Sequence, residues 1–204
     1  MLCQSRAMVG AETWVRDGSW AAKGLYPLQR RVFGRKAGIL GLGRIGFEIG
    51  KRLAGFGMDI AYSDVAPKDY APDWTFLSEP VAVAEHSDFL FVTVAASDAT
   101  RHIVGVDVLN ALGVDGMIIN ISRAANIDEE ALIAALSSGT IGSAALDVFA
   151  GEPALDPRFL KLDNVLLQPH HASGTIETRQ SMGKLLRDNL TAHFAGQPLL
   201  TPVT

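Results

Sequence analysis

Three glycines in the run Gly41-Leu42-Gly43-Arg44-Ile45-Gly46 stand directly after the apolar stretch Gly38-Ile39-Leu40 and open a helical pattern that runs from Arg44 to Phe56. A strand that ends in a glycine turn and enters a helix is the first half of a βαβ unit. Asp64, at the close of a second apolar run roughly 20 positions on, completes the pattern of a dinucleotide-binding turn. In such a turn the first glycine allows the tight bend, the second lets backbone approach a pyrophosphate, and the third lets helix and strand pack closely. The helix N-terminus adds unpaired N–H groups and a partial positive charge, which attract a pyrophosphate without any lysine. Asp64 would accept hydrogen bonds from the adenosine ribose hydroxyls. An ordinary βα turn with incidental glycines is the rival reading, and the strand before, the helix after and the acid beyond argue against it.

From Gly38 onward, short β-rich apolar runs alternate with helical patterns, which predicts an α/β fold with a doubly wound parallel sheet covered on both faces. Strands are expected near 38–42, 59–63, 89–94, 117–121, 143–147 and 164–168. The best-marked helix covers 129–138: Asp128 caps it, Glu129 and Glu130 suit its positive end, and Gly139 terminates it. The stretch from Pro67 to Pro80 reads as loop with at most a short strand. Ligands of such sheets bind at the carboxyl ends of the strands, which singles out Ala95, Ser122, Arg123, Asp147 and His170. Two segments lie outside the alternation. Residues 1–37 hold a helical stretch with Trp14 and Trp20, then a polar connector with Arg30, Arg31, Arg35 and Lys36. Residues 175–196 form a long amphipathic helix with Met182, Leu185, Leu186, Leu190 and Phe194 on one stripe.

A hydrophobic content of 48% in 204 residues is ample for a core, and a net charge of −4 leaves no basic stripe for nucleic acid or an anionic membrane. The most apolar run, Phe89 to Ala96, falls far short of the ~20 residues that span a bilayer. Cys3 is the single cysteine, which excludes an intramolecular disulfide and fits a reducing compartment; the first residues lack the apolar centre of a signal peptide, so the cytoplasm is expected. His86, His102 and His193 read as surface or capping residues, and no spacing of His, Cys and carboxylates points to a metal site.

Further motifs follow in fixed order: Asn120-Ile121-Ser122-Arg123, then Leu146-Asp147-Val148-Phe149 with Gly151-Glu152-Pro153, then Gln168-Pro169-His170-His171-Ala172-Ser173. With the glycine turn, these resemble the D-2-hydroxyacid dehydrogenase family, and more narrowly its glyoxylate, hydroxypyruvate and hydroxyphenylpyruvate reductases. The resemblance runs from about residue 10 to the closing Pro198-Leu199-Leu200-Thr201-Pro202-Val203. It implies a Rossmann-type domain at 38–174, a connecting helix and arm at 1–37, and a helix and tail at 175–204 as the remnant of a second, substrate domain whose long N-terminal segment is missing. Met1 then stands where an internal methionine of a longer gene product would. Ala124 replaces the glycine that usually follows the family's arginine, a departure that would tilt the loop slightly.

The implied activity is hydride transfer between NAD(P)H and a 2-oxo acid, giving the D-2-hydroxy acid, with Arg123, Glu152 and His170 as the catalytic trio. The chemistry agrees. A hydride arriving at C2 builds negative charge on the keto oxygen, so the site needs a proton donor that titrates near neutral pH, and a nearby carboxylate that favours its charged form. Arginine's planar fork grips a carboxylate or keto oxygen in one orientation. Each has a plainer rival: Arg123 as a solvated residue after a strand, Glu152 as loop polarity, and His171 in place of His170. Trp14 and Trp20 serve either substrate contact or packing at an interface.

On the cofactor side the resemblance assigns Gly41, Gly43, Arg44, Ile45 and Gly46 to the pyrophosphate, Asp64 to the ribose, and Val94 and Ala95 to the adenine side. Ile121, Ser122, Arg123, Asp147, His170 and Ser173 fall to the nicotinamide end. Asp64 would repel a 2′-phosphate, which favours NAD; NADP stays open, because relatives take NADPH through an arginine just past this point, where Val65 stands here with Lys68 beyond. The family also implies a homodimer formed around residues 1–37. Two alternatives to an active reductase remain: a truncated, inactive NAD-binding fragment, and a dinucleotide-sensing scaffold like the co-repressors that share the fold.

Overall fold

A computed structural model describes residues 1–202, so Val203, at the end of the closing run, lies outside the described residues. The chain divides into two compact units, Met1–Pro169 and His170–Thr204.

The first unit begins with three short helices, α1 (Leu2–Ser5), α2 (Met8–Arg16) and α3 (Ser19–Lys23). One helical stretch is expected there, but Ala7 and Gly18 adopt left-handed backbone (φ 43° and 79°) and break it. The remainder alternates strand and helix: β1 (Lys36–Leu40), α4 (Arg44–Ala54), β2 (Asp59–Ser63), β3 (Thr75–Phe76), α5 (Pro80–His86), β4 (Phe89–Val92), α6 (Val106–Leu112), β5 (Met117–Asn120), α7 (Glu129–Ser138), β6 (Ser143–Leu146) and β7 (Val165–Leu167). Among the described residues these strands form one sheet in the order β3-β2-β1-β4-β5-β6-β7, every neighbouring pair parallel. Six are the expected strands, and β3 is the short one allowed between Pro67 and Pro80.

Successive strand residues point to opposite faces, and both faces are dry, which explains why the strands read as unbroken apolar runs. Leu40, Leu90 and Ile118 pack with Val83 of α5, Leu109 of α6 and Leu132 of α7 on one face. Ile39, Phe91 and Ile119 pack on the other with Leu53 of α4. The sheet order reverses between β1 and β4, the crevice where such sheets take ligands.

Helix α7 has the expected boundaries. Asp128 accepts the Ala131 N–H at 3.2 Å, and Gly139 closes the helix with φ 74°. Asp128→Ala is expected to lower stability by about 1 kcal/mol, measured as a lower urea midpoint at an unchanged m-value.

The second unit carries α8 (Ile176–Phe194), whose cap is Thr175: its Oγ1 accepts the Thr178 N–H at 3.1 Å. Thr175 thus precedes the helix, and α8 is shorter at both ends than the apolar spacing suggests. Met182, Leu185, Leu186, Leu190 and Phe194 are exposed, Leu185 least at 41%. Among the described residues no helix is long and apolar enough to cross a membrane.

Candidate functional site

The glycine turn joins β1 to α4, and its three glycines answer to three different constraints. Gly41 has φ +90°, and a Cβ there would lie 2.6 Å from the Val94 Cα. At Gly46 a Cβ would sit 2.2 Å from the Gly41 carbonyl oxygen, so helix and turn close only without a side chain. A Cβ on Gly43 would meet nothing within 4 Å, which leaves open space in front of the first backbone N–H groups of α4. No acidic side chain occupies the first turn of α4, and Arg44 and Ile45 begin it. An anion is favoured at such an end by donor and dipole together.

The turn is held from β2 as well. Asp64 accepts the Leu42 N–H through Oδ2 at 2.8 Å and its neighbour's Val65 N–H through Oδ1 at 2.8 Å. The Lys68 ammonium lies 2.9 Å from the same Oδ1, and this hydrogen bond holds the lysine above its ordinary pKa range. The Tyr70 hydroxyl donates to the Leu42 carbonyl, and the Tyr62 hydroxyl accepts the Lys68 N–H at 2.8 Å. Leu42 is clamped on both its backbone groups.

On the other side of the crevice, Thr93 Oγ1 donates to the Gly41 carbonyl at 2.6 Å. The Ala95 carbonyl accepts from Thr100 Oγ1 at 2.7 Å, and the same oxygen of Thr100 accepts the Ser97 N–H at 2.8 Å. The Val94 carbonyl is taken by Asn126, whose Nδ2 donates to it at 2.8 Å and to Ser122 Oγ at 2.9 Å. Ser122 in turn donates its N–H and hydroxyl to Asn120 Oδ1 at 3.0 and 2.8 Å. A fully buried asparagine therefore ties the loop after β4 to the loop after β5. Sequence reading passed over Asn126, Thr93 and Thr100; only the Ser97-x-x-Thr100 spacing of a capping box was there to be seen. Asn126→Leu leaves the Val94 carbonyl without this donor, and a loss of about 1–3 kcal/mol is expected in urea unfolding.

The loop after β5 presents Ile121 half-buried and Arg123 exposed, with Arg123 Nη1 donating to the Ser122 carbonyl at 2.7 Å. Asp147, buried just beyond β6, donates its N–H to the Asn120 carbonyl at 3.0 Å. In the following loop Glu152 Oε1 accepts the Phe149 N–H at 2.7 Å, and Glu129 of α7 accepts the Ala150 N–H at 2.9 Å. Arg123 and Glu152 thus leave adjacent strands of the first unit at the same, carboxyl, edge. His170 and Ser173 belong to the second unit, both exposed; His170 has left-handed backbone, φ 51°. The His171 ring lies against Gly174, where a Cβ would come within 2.2 Å of it.

A cleft of about 580 Å³ opens over the carboxyl ends of β1, β2 and β4, lined by Gly41, Gly43, Arg44, Asp64, Val94 and Ala95 among others. A second hollow, about 350 Å³, opens at the opposite edge of the sheet, where Arg30 and Arg35 are paired with Asp115 and Asp88. Only the first offers an anion-binding helix start beside a carboxylate at the end of β2, the donor set a dinucleotide requires. Among the described residues no group of His, Cys, Asp and Glu is placed to hold a metal ion.

The family model for the D-isomer specific 2-hydroxyacid dehydrogenase, NAD binding domain, matches residues 1–172. The chain belongs to this family. Its sheet is the Rossmann-type sheet of these dehydrogenases. A 2-hydroxyacid dehydrogenase from Ketogulonicigenium vulgare Y25 is 74% identical and superposes with a TM-score of 0.96, covering 100% of this chain and 64% of its own. The NADPH-dependent glyoxylate/hydroxypyruvate reductase of Sinorhizobium meliloti, solved with NADP and malonate, is 42% identical with a TM-score of 0.94 over the same shares, 100% and 64%. Glyoxylate/hydroxypyruvate reductase A of Arabidopsis thaliana is 43% identical over 205 residues, 100% of this chain and 64% of the plant protein. The chain therefore spans less than two thirds of the length of these 2-hydroxyacid dehydrogenase relatives.

Proposed function

We propose that this chain is the cofactor-binding part of a reductase that moves a hydride from NAD(P)H to a 2-oxo acid such as glyoxylate, hydroxypyruvate or hydroxyphenylpyruvate, giving the D-2-hydroxy acid. The observation that carries the reading is the glycine turn at the β1/β4 crevice, with open space over Gly43 beside the Asp64 carboxylate. The names of the relatives from Arabidopsis and Sinorhizobium support the substrate class. A bound nicotinamide supplies the hydride. The backbone at Gly43, Arg44 and Ile45 receives the pyrophosphate, Asp64 the adenosine ribose, and Val94 and Ala95 the adenine side. Ile121, Ser122, Asp147 and Ser173 face the nicotinamide end. Arg123 grips the substrate carboxylate or keto oxygen through its planar fork. The resemblance gives His170 the part of proton donor and Glu152, whose Oε1 accepts the Phe149 N–H, that of the acidic member of the trio.

The exposed stripe on α8 suits a helix that belongs to a second, substrate-side domain over 175–204, with 38–174 as the dinucleotide-binding domain and 1–37 as the connecting arm. Exposed Met8, Val9, Val15 and Trp20 in the arm support its use as a face between two copies of the chain. A lone cysteine fits the cytoplasm. The test is steady-state oxidation of NADH and NADPH with the three 2-oxo acids, measured on the protein that carries this chain, beside a cofactor titration. Turnover with any of them supports the reading. Cofactor binding with no turnover on all three would leave a dinucleotide-binding module in its place.

A further inference from the structure

Resting on the reading of Arg123 as the group that grips the substrate, we propose that Asn120, the first residue of the Asn120-Ile121-Ser122-Arg123 motif, is the residue that positions it. Asn120 ends β5, and its carboxamide reaches back to the loop that follows. Its Oδ1 accepts both the N–H and the hydroxyl of Ser122, at 3.0 and 2.8 Å, and its Nδ2 donates to the Arg123 carbonyl at 3.2 Å. The same carbonyl accepts the Asn126 N–H at 3.2 Å. The guanidinium depends on this arrangement, because its Nη1 donates to the Ser122 carbonyl at 2.7 Å. Asn120 thus fixes both the residue that anchors the arginine fork and the main chain from which the fork extends.

Among side chains of this size, asparagine alone meets these demands. The Ser122 N–H can only donate and the Arg123 carbonyl can only accept, so the side chain must offer an acceptor and a donor on two separate atoms. It must also be uncharged, since Asn120 is 1% exposed and an unpaired charge is costly to bury. Aspartate would set an oxygen against the Arg123 carbonyl oxygen, and serine or threonine has a single polar atom. The main chain of Asn120 serves the same edge of the sheet, because its carbonyl accepts the Asp147 N–H at 3.0 Å. A substitution leaves that backbone bond in place, so a side-chain variant releases the arginine loop while β5 stays paired with β6.

The experiment is steady-state reduction of the three 2-oxo acids by NADH and NADPH, on the protein that carries this chain, for Asn120→Asp, Asn120→Ala, Arg123→Ala and the two double variants, with cofactor dissociation constants and urea midpoints measured beside it. N120D keeps the acceptor for Ser122 and alters the contact with the Arg123 carbonyl; N120A removes both. Each is expected to lower kcat/KM about tenfold to a hundredfold, the scale of a group displaced by about 1 Å, with little change in cofactor binding. In the R123A background neither should lower it further, because the group that Asn120 positions is gone. A merely structural Asn120 would add its loss to that of R123A. Unchanged kcat/KM in N120D and N120A, full additivity with R123A, or loss of folding in both variants would overturn the positioning role. No turnover of any of the acids by the unaltered protein, or full activity of R123A, would overturn instead the reading of Arg123 on which that role rests.

Discussion

Replacing His170 by asparagine is expected to lower kcat with 2-oxo acids by about 10²–10⁴-fold, the contribution of a positioned general acid, while NADH still binds. Asparagine is the informative choice because His170 has φ 51°, a left-handed conformation that Asn tolerates better than most residues. The substitution therefore removes the proposed proton donor without forcing the backbone into another well. Alanine at this position would mix two effects, the lost imidazole and a strained main chain. If the proton comes from elsewhere, H170N will retain nearly full kcat, and His171→Asn, the neighbouring histidine, becomes the variant that loses it. A fall in kcat with an unchanged NADH dissociation constant places the loss in the chemical step, whereas a fall accompanied by a raised NADH dissociation constant places it in cofactor seating.

Gly41→Ala should cost about 3 kcal/mol of stability and abolish measurable NADH binding. Two penalties combine. The backbone at φ +90° is one that residues with a Cβ rarely adopt, and the new methyl would stand 2.6 Å from the Val94 Cα, a main-chain atom that no rotamer change relieves. Relief requires separating β1 from the loop after β4, and those are the two walls of the crevice. Urea unfolding gives the stability and a titration gives the binding. Gly43→Ala is the control, since a Cβ there meets nothing within 4 Å: the fold should be kept, and any loss of NADH affinity reports space that the cofactor uses.

The same local geometry explains how much of the fold was legible in the sequence. Strands buried on both faces leave continuous apolar runs, and helix α7 announced both ends through Asp128 and Gly139, so the sheet and this helix could be placed from residue types alone. Boundaries slipped where an apolar residue serves the turn instead of the ladder. Leu42 and Val94 read as strand, yet Leu42 is the clamped residue of the glycine turn and Val94 gives its carbonyl to Asn126. Of the proposed cofactor site, the glycine turn and the acid beyond it were visible because a tight turn demands one residue type and the motif carries the acid at a set distance. What stayed hidden depends on long-range approach: Asn126 reaching the Val94 carbonyl, and the three donors that converge on the Asp64 carboxylate. Neither has a spacing rule, because the partners meet only after the sheet has formed.

The most direct measurement is the mapping of backbone amide shifts in the 204-residue chain as NADH is added. The expected result is that the largest changes fall on Leu42 to Ile45, Asp64, Val65 and Ala95, around the crevice between β1 and β4. Changes confined to Arg30, Asp115 and their neighbours at the opposite edge of the sheet, or no changes at saturating cofactor, would contradict it.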